Sequence, residues 1–420
     1  MKLTGIVAEY NPLHLGHEYH LDICRKETGA DYLIVVMSGN FVQRGTPAIA
    51  DKYTRTELAL QSGADIVLEL PVPYALSSSE FFAKGAVSVL DKLGCIDILS
   101  FGSECGDLEL LTSVADKKVT HKDEIEQSIK HYVKSGCSYA FAHEAAVRDR
   151  LSDPAFSSGT VSLRMPNDSL AVSYISALKE RNSSILLHTI KREGGQYHDE
   201  CTVALSATNV RKQLEAGVSP EAMTNILSDH VISELSSEYH KTFPITENDF
   251  SMLLAYKIRS ICSSQDKETI LSLLTEYLDV SDSLAAKLYH QKNEITSYRD
   301  FILSLKSKDI TYAHIARALS HILLNLKKTD FASYIENDFT FYARVLGFKK
   351  NAAPALSVMK KHTSIPLITK LADAKYLLDS PLAQTMLDSD IFASELYEQT
   401  VCHKFCLPFV GEYRKQLIIS

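Results

Sequence analysis

Apolar positions along this chain change their period near residue 217. Before it, short continuous apolar runs at 3–8, 32–37, 65–70, 96–101 and 185–190 alternate with longer mixed stretches. Runs this short, bounded by polar or glycine-bearing segments, predict five buried strands. The stretches at 51–62, 80–93, 166–179 and 206–214 read as helices, and 123–133 is amphipathic. Strands alternating with helices imply βαβ units and a parallel sheet. After Gly217-Val218-Ser219-Pro220 the period is helical, at 222–235, 249–260, 267–276, 283–291, 298–305 and 312–326, and 375–420 is of mixed helical character. The expectation is an α/β domain over 1–218 with a parallel, Rossmann-like sheet, followed by a mostly helical domain over 219–420.

In open α/β sheets ligands sit at the carboxyl ends of the strands. The first such end carries Asn11-Pro12-Leu13-His14-Leu15-Gly16-His17, and a helix opens just after it. A helix N-terminus offers unpaired N–H groups and the positive end of the dipole, which suits phosphate. Gly16 lets the backbone approach a ligand, and His14 and His17 can donate hydrogen bonds as charge develops on phosphate oxygens. Such chemistry needs positioning and charge stabilisation, not a nucleophile. A pair of ordinary structural histidines is the competing reading. A second helix start of this kind lies at Ser206-Ala207-Thr208-Asn209-Val210-Arg211, where small hydroxyl residues can cap the helix and Arg211 can reach the same anion; a plain capped helix is the alternative.

Other strand ends offer weaker candidates. Ser38-Gly39-Asn40-Phe41-Val42-Gln43-Arg44-Gly45 reads as a loop closing over the reactive site, with Asn40, Gln43 or Arg44 on a small substrate or phosphate. Gly102 would let a base or ribose lie against the backbone, although glycine at a strand end is also routine turn chemistry. Lys191-Arg192-Glu193-Gly194-Gly195 is a candidate phosphate or adenosine contact through Arg192. Asn167 or Asp168 can cap the helix that opens at Pro166.

His-x-Gly-His after an N-terminal strand resembles the signature of the HIGH-type nucleotidyltransferases. The longer strings Gly5-Ile-Val-Ala-Glu-Tyr-Asn-Pro-Leu-His-Leu-Gly-His17 and Met37-Ser-Gly-Asn-Phe-Val-Gln-Arg-Gly45 are similar to those of the bacterial tRNA(Met) cytidine acetate ligases, over nearly the whole chain. The resemblance implies activation of acetate with ATP to acetyl-adenylate, then acetylation of N4 of the wobble cytidine of elongator tRNA(Met). It implies His14 and His17 as catalytic. It implies ATP contacts along Val7, Ala8, Glu9, Tyr10, Asn11, Pro12, Leu13, His14, Leu15, Gly16, His17, Glu18, Tyr19 and His20, and at Gly102, Asn167, Ser206, Thr208 and Arg211, to which the strand-end reading adds Arg192. Mg²⁺ is a possible companion of the ATP, without a dedicated carboxylate cage in the sequence.

Composition narrows the setting. A 420-residue chain is long enough for two or three domains. No apolar run reaches the ~20 residues of a membrane span, and Met1-Lys2 leads into a strand instead of a signal peptide, so a cytoplasmic location is expected. Eight scattered cysteines, with Cys402 and Cys406 only four apart around His403, give no convincing metal motif. The net charge of −8 argues against generic nucleic-acid affinity. Yet 339–372 contains no Asp or Glu and holds Arg344, Lys349, Lys350, Lys360 and Lys361; with Arg317 they are candidates for a tRNA backbone patch, against a merely solvated basic face. Two other function classes stay open: a nucleotidyltransferase making a small cofactor, and a non-catalytic RNA-binding protein.

Overall fold

The computed structural model describes residues 1–134, 142, 145–147, 149, 165–192, 206–263, 266–307 and 310–420. The strands are β1 (Leu3–Ala8), β2 (Tyr32–Ser38), β3 (Phe41–Val42), β4 (Thr46–Pro47), β5 (Ile66–Leu70), β6 (Ile98–Ser103), β7 (Leu186–Lys191), β8 (Ala343–Phe348), β9 (Leu367–Ile368) and β10 (Ile418–Ile419). The main sheet runs β10-β8-β5-β2-β1-β6-β7, with β9 attached to β8, while β3 and β4 form a separate hairpin. β1 lies between β2 and β6, parallel to both, with Gly5 opposite both Ile34 and Leu99. The five expected strands are β1, β2, β5, β6 and β7, and their parallel pairing matches the expectation.

Helices cover both faces, which is why the strands read as unbroken apolar runs. Leu33, Ile34, Val35, Val36 and Met37 are all fully buried. One face packs on helices Ser79–Lys92 and Pro166–Glu180 through Phe82, Ala86, Val89, Leu90, Ala171 and Ile175. The other packs on α1 (Leu15–Thr28) and α2 (Lys52–Gln61) through Leu21, Cys24, Leu58 and Ala59. α1 ends at Gly29, whose φ of 63° is the left-handed conformation glycine adopts without strain. α2 starts at Asp51, whose carboxylate accepts from Tyr53 N and Thr54 N.

A third core holds the expected helices, now seen at Ser251–Ile261, Lys267–Thr275, Asp282–Gln291, Tyr298–Leu305 and Tyr312–Leu323. The 222–235 expectation was displaced: the helix is Asp229–Glu238, begun at Ser228. Met223, Ile226 and Leu227 are apolar because they are buried from a connecting segment, whose Ile226 carbonyl accepts from Leu15 N.

The chain does not stay helical after 219. β8 adds antiparallel to β5, so the acid-free window sends a strand into the main sheet. Helix Pro381–Phe405 places Met386, Leu387 and Ile391 in the sheet core and Ala393, Tyr397 and Val401 in the helical core. Among the described residues no helix is long and apolar enough to cross a membrane. Of the candidate stretch Lys191-Arg192-Glu193-Gly194-Gly195, residues 193–195 lie outside the described residues.

Candidate active site at the carboxyl end of β1

The chain leaves β1 through Glu9, Tyr10 and a cis Asn11–Pro12 peptide, with Tyr10 held at a φ of 46°. His14 is then the N-cap of α1, and its Nδ1 accepts from Gly16 N at 3.1 Å. An accepting Nδ1 leaves the proton of the neutral ring on Nε2, so His14 keeps one N–H donor. The His17 ring stacks on His14 with centroids 3.9 Å apart, and Tyr10 meets His17 edge-on at 5.0 Å. His17 Nδ1 is buried and has no hydrogen-bond partner among the described residues. A buried orphan of this kind is expected where a ligand completes the shell.

Cations surround the pair. Burial, then Arg192 and Arg211, hold His14 down at about 4. Burial, then His14, Arg192 and His20, hold His17 well below its ordinary value. Both rings are therefore neutral donors at neutral pH. Arg211 Nη1 donates to the Asn11 carbonyl at 2.5 Å and Nη2 to Thr208 Oγ1 at 3.1 Å. That link brings the second helix start to the first: Ser206 caps it, accepting from Asn209 N at 3.2 Å. Arg44, exposed, bears electrostatically on Arg211. Gly102 has the Arg192 side chain against it: an added Cβ would stand 3.3 Å from Arg192 Cγ. Asn167 Nδ2 donates to Glu104 Oε1 at 2.6 Å, and Glu104 also takes Asn167 N and Asp168 N at 3.2 and 2.7 Å, capping that helix. Asp168 answers by accepting from Glu104 N and Cys105 N. Arg192, Ser206, Thr208, Arg211, Gly102 and the His14–His17 turn thus converge at the carboxyl edge of the sheet.

Several expected contacts have other roles. Glu18 accepts from Ser62 Oγ and Ser228 Oγ at 3.0 and 2.8 Å and pairs with His230 at 3.1 Å, tying α1 to the helix after 228. Tyr19 is exposed, and Leu13 is fully buried core. Asn11 Oδ1 accepts from Ile49 N, and Asn40 Oδ1 accepts from Lys52 N, so both amides hold loops in place. Gln43 N donates to Glu9 Oε1 at 2.8 Å, linking the 38–45 loop to the end of β1.

The RNA patch divides. Arg344 is 5% exposed, with Nη1 3.0 Å from Glu69 Oε2 and Nη2 2.8 Å from Glu412 Oε1. Arg317 pairs with Asp279 at 2.9 Å and is mostly covered. Neither presents a free cation to a phosphate backbone, because a buried guanidinium must keep its internal partners. Lys350, Lys360 and Lys361 are exposed and Lys349 half-buried. They lie beside the amino ends of the strands: Lys349 N donates to Asp65 O, and the His362 carbonyl lies against Gly94. The seven-residue β2 separates that edge from the histidines by about 20 Å.

Periodicity gave no signal for Arg55. It is fully buried; Nε donates to Ala50 O at 2.9 Å, Nη1 to Glu9 O at 2.7 Å and Ser38 O at 3.0 Å, and Nη2 to Gly39 O. One side chain thus fixes both loops that border the site. Glu104, adjacent to the Gly102 strand end, was legible only as a neighbour. No cluster of three metal-ligating side chains occurs among the described residues.

Residues 1–406 match the family described as HIGH Nucleotidyl Transferase. The tRNA(Met) cytidine acetate ligase of Thermoanaerobacter sp. (strain X514) is 37% identical over 404 residues, covering 94% of this chain and 95% of that protein. The namesake from Caldanaerobacter subterraneus subsp. tengcongensis is 38% identical over 402 residues, with the same coverage. The crystal structure of Thermotoga maritima TmcAL bound with alpha-thio ATP aligns with a TM-score of 0.88 at 30% identity, over 100% of this chain and 99% of that one. With the His14–His17 turn opposite a second phosphate-type helix start, and with relatives matched along nearly their full length, this chain belongs to the HIGH nucleotidyltransferases and, within them, to the tRNA(Met) cytidine acetate ligase family.

Proposed function

We propose that this protein is an ATP-dependent acetate ligase that forms acetyl-adenylate and acetylates N4 of the wobble cytidine of elongator tRNA(Met). The observation that carries the reading is the Arg211–Asn11 link, which faces two helix N-termini and their cations toward one place. ATP lies with its triphosphate across the Gly16–His17 and Ser206–Arg211 starts and its adenosine toward Gly102 and Asn167. Acetate oxygen attacks the α-phosphorus and pyrophosphate leaves. Neutral His14 and His17 donate N–H groups to oxygens gaining charge, with Arg192 and Arg211 adding fixed positive potential. The cytidine amine then attacks the acyl carbon and AMP leaves. A single-stranded anticodon base splayed from its loop would present that amine.

Mg²⁺ accompanying the triphosphate would be held chiefly by phosphate oxygens. The RNA enters over Arg44 and Arg192 at the site mouth. The exposed Lys350, Lys360 and Lys361, with Lys349, serve as a remote backbone contact on the opposite edge.

The test is pyrophosphate release from ATP with acetate and tRNA added separately and together. Acetate-dependent release, with labelled acetyl ending in the tRNA, supports the ligase. Release indifferent to both overturns it and points to a small phosphorylated acceptor.

A further inference from the structure

A chain of hydrogen bonds runs to solvent from His20, whose charge would bear on His17, through residues that the proposed reaction has not used. His20, one helical turn after His17, places Nε2 3.3 Å from Ser100 Oγ. Ser100 Oγ is 3.0 Å from His188 Nδ1, and His188 Nε2 is 3.0 Å from Glu27 Oε2. Ser100 is fully buried on β6, whereas the Glu27 side chain is 57% exposed.

The chain has one self-consistent polarity for neutral rings. A carboxylate only accepts, so His188 Nε2 carries the hydrogen and Nδ1 accepts. Ser100 Oγ–H therefore donates to His188, and its oxygen accepts from His20 Nε2–H. The remaining nitrogen of His20, Nδ1, is left as a lone pair. His20 senses the Arg192 charge, as His14 and His17 do, and burial first and that charge second hold it at about 4. The Cys24 thiol also faces Ser100; burial raises it, so it brings no charge.

We propose that Glu27, His188 and Ser100 are positioning residues that hold His20 as the proton acceptor for the acyl-transfer step and carry the proton to solvent. The proposal rests on the ligase reading above. When the cytidine amine attacks the acyl carbon, a C–N bond forms, the acyl C–O bond to AMP breaks, and one N4 proton must leave. His20 Nδ1 takes that proton while its Nε2–H passes to Ser100 and the Ser100 hydrogen to His188 Nδ1. The resulting imidazolium faces the Glu27 carboxylate and gives its Nε2 proton to water. The first half-reaction needs no such exit, because acetate attacks as a carboxylate and carries no proton to lose.

The two half-reactions separate the roles. Acetate-dependent ATP–pyrophosphate exchange reads the first; single-turnover transfer from enzyme-bound acetyl-adenylate to tRNA reads the second. Ser100→Ala and His188→Gln are expected to slow transfer at least tenfold, with exchange within twofold of the parent. Glu27→Gln, at an exposed position, is expected to slow transfer several-fold and to shift its pH profile. Equal loss in both half-reactions would overturn the proposal in favour of a structural role, and so would transfer unchanged in all three variants. Absence of acetate-dependent exchange in the parent protein would instead sink the ligase reading.

Discussion

Arg344 on β8 reaches Glu412, 68 residues further on, with Nη2 2.8 Å from Oε1, and both are almost completely buried. Lys52 joins them, with Nζ 2.5 Å from Glu412 Oε1 and 2.7 and 2.9 Å from the two oxygens of Glu69. Ser394 Oγ also accepts from Lys52 Nζ at 2.7 Å. Two cations and two carboxylates balance, closing β5, β8, α2 and the end of the chain around one point. The charges most suggestive of RNA binding in the sequence are thus partly the rivets of the sheet.

Removing one member leaves a buried charge without its counterion. Arg344→Met should lower unfolding free energy by about 3–5 kcal/mol, measured by urea denaturation. tRNA affinity of the folded variant should match the parent. A loss of affinity with unchanged stability would return Arg344 to the RNA surface.

Asp390 sits beside this cluster, accepting from Val72 N and Tyr342 OH, each at 2.6 Å. Burial, and then Glu69, push its carboxyl up to about 7. The native state therefore keeps a proton that the unfolded chain releases near pH ~4. Stability contributed here falls as pH rises from about 4 to about 7. Glu412 has the opposite sense. Burial alone would raise it, but Lys52 and Arg344 hold it at about 2, so its contribution is present above pH ~4.5 and is lost as pH falls toward 2. Asp390→Asn should flatten the decline between pH 5 and pH 8, read by urea unfolding at both. An unchanged slope would show that Asp390 is ionised throughout.

In the proposed reaction His14 and His17 act as neutral donors. His17→Ala should lower the rate of acetate-dependent pyrophosphate release by about 10²–10³ with little change in fold, since its Nδ1 has no hydrogen-bond partner among the described residues. His14→Asn, which can keep the cap on Gly16 N, should lose a similar factor. With the His14 ring held at about 4, kcat/KM should carry no acid limb near 6.5 from it. A limb there that His14→Asn abolishes would make the imidazolium the working form.

The lysines at the amino edge are tested by charge reversal. Lys360→Glu/Lys361→Glu should weaken tRNA binding across a salt series and reduce the slope of log K against log salt by roughly 1–2. Pyrophosphate release without tRNA should be unaffected. An unchanged slope would confine RNA contact to the Arg44 and Arg192 side.

The sequence by itself determined what depends on near neighbours. Five parallel strands were legible because burial on both faces demands unbroken apolar runs, as in Leu33–Met37. The His14–His17 turn was legible because strand end, turn and helix start follow within a few residues, and Ser206–Arg211 likewise carries its own cap. Tertiary structure alone decided roles set by distant partners. Whether a cation meets solvent or a carboxylate depends on residues such as 69 and 412 arriving beside 344, which no local pattern records. β8 was hidden for the same reason: a strand that joins an existing edge needs only a partner, and its partner lies far earlier in the chain, with Leu68 opposite Val345, 277 residues apart. Arg55, Ser100 and His188 are ordinary residues in sequence. The fold gives them meaning by bringing loop carbonyls and ring nitrogens within hydrogen-bond reach.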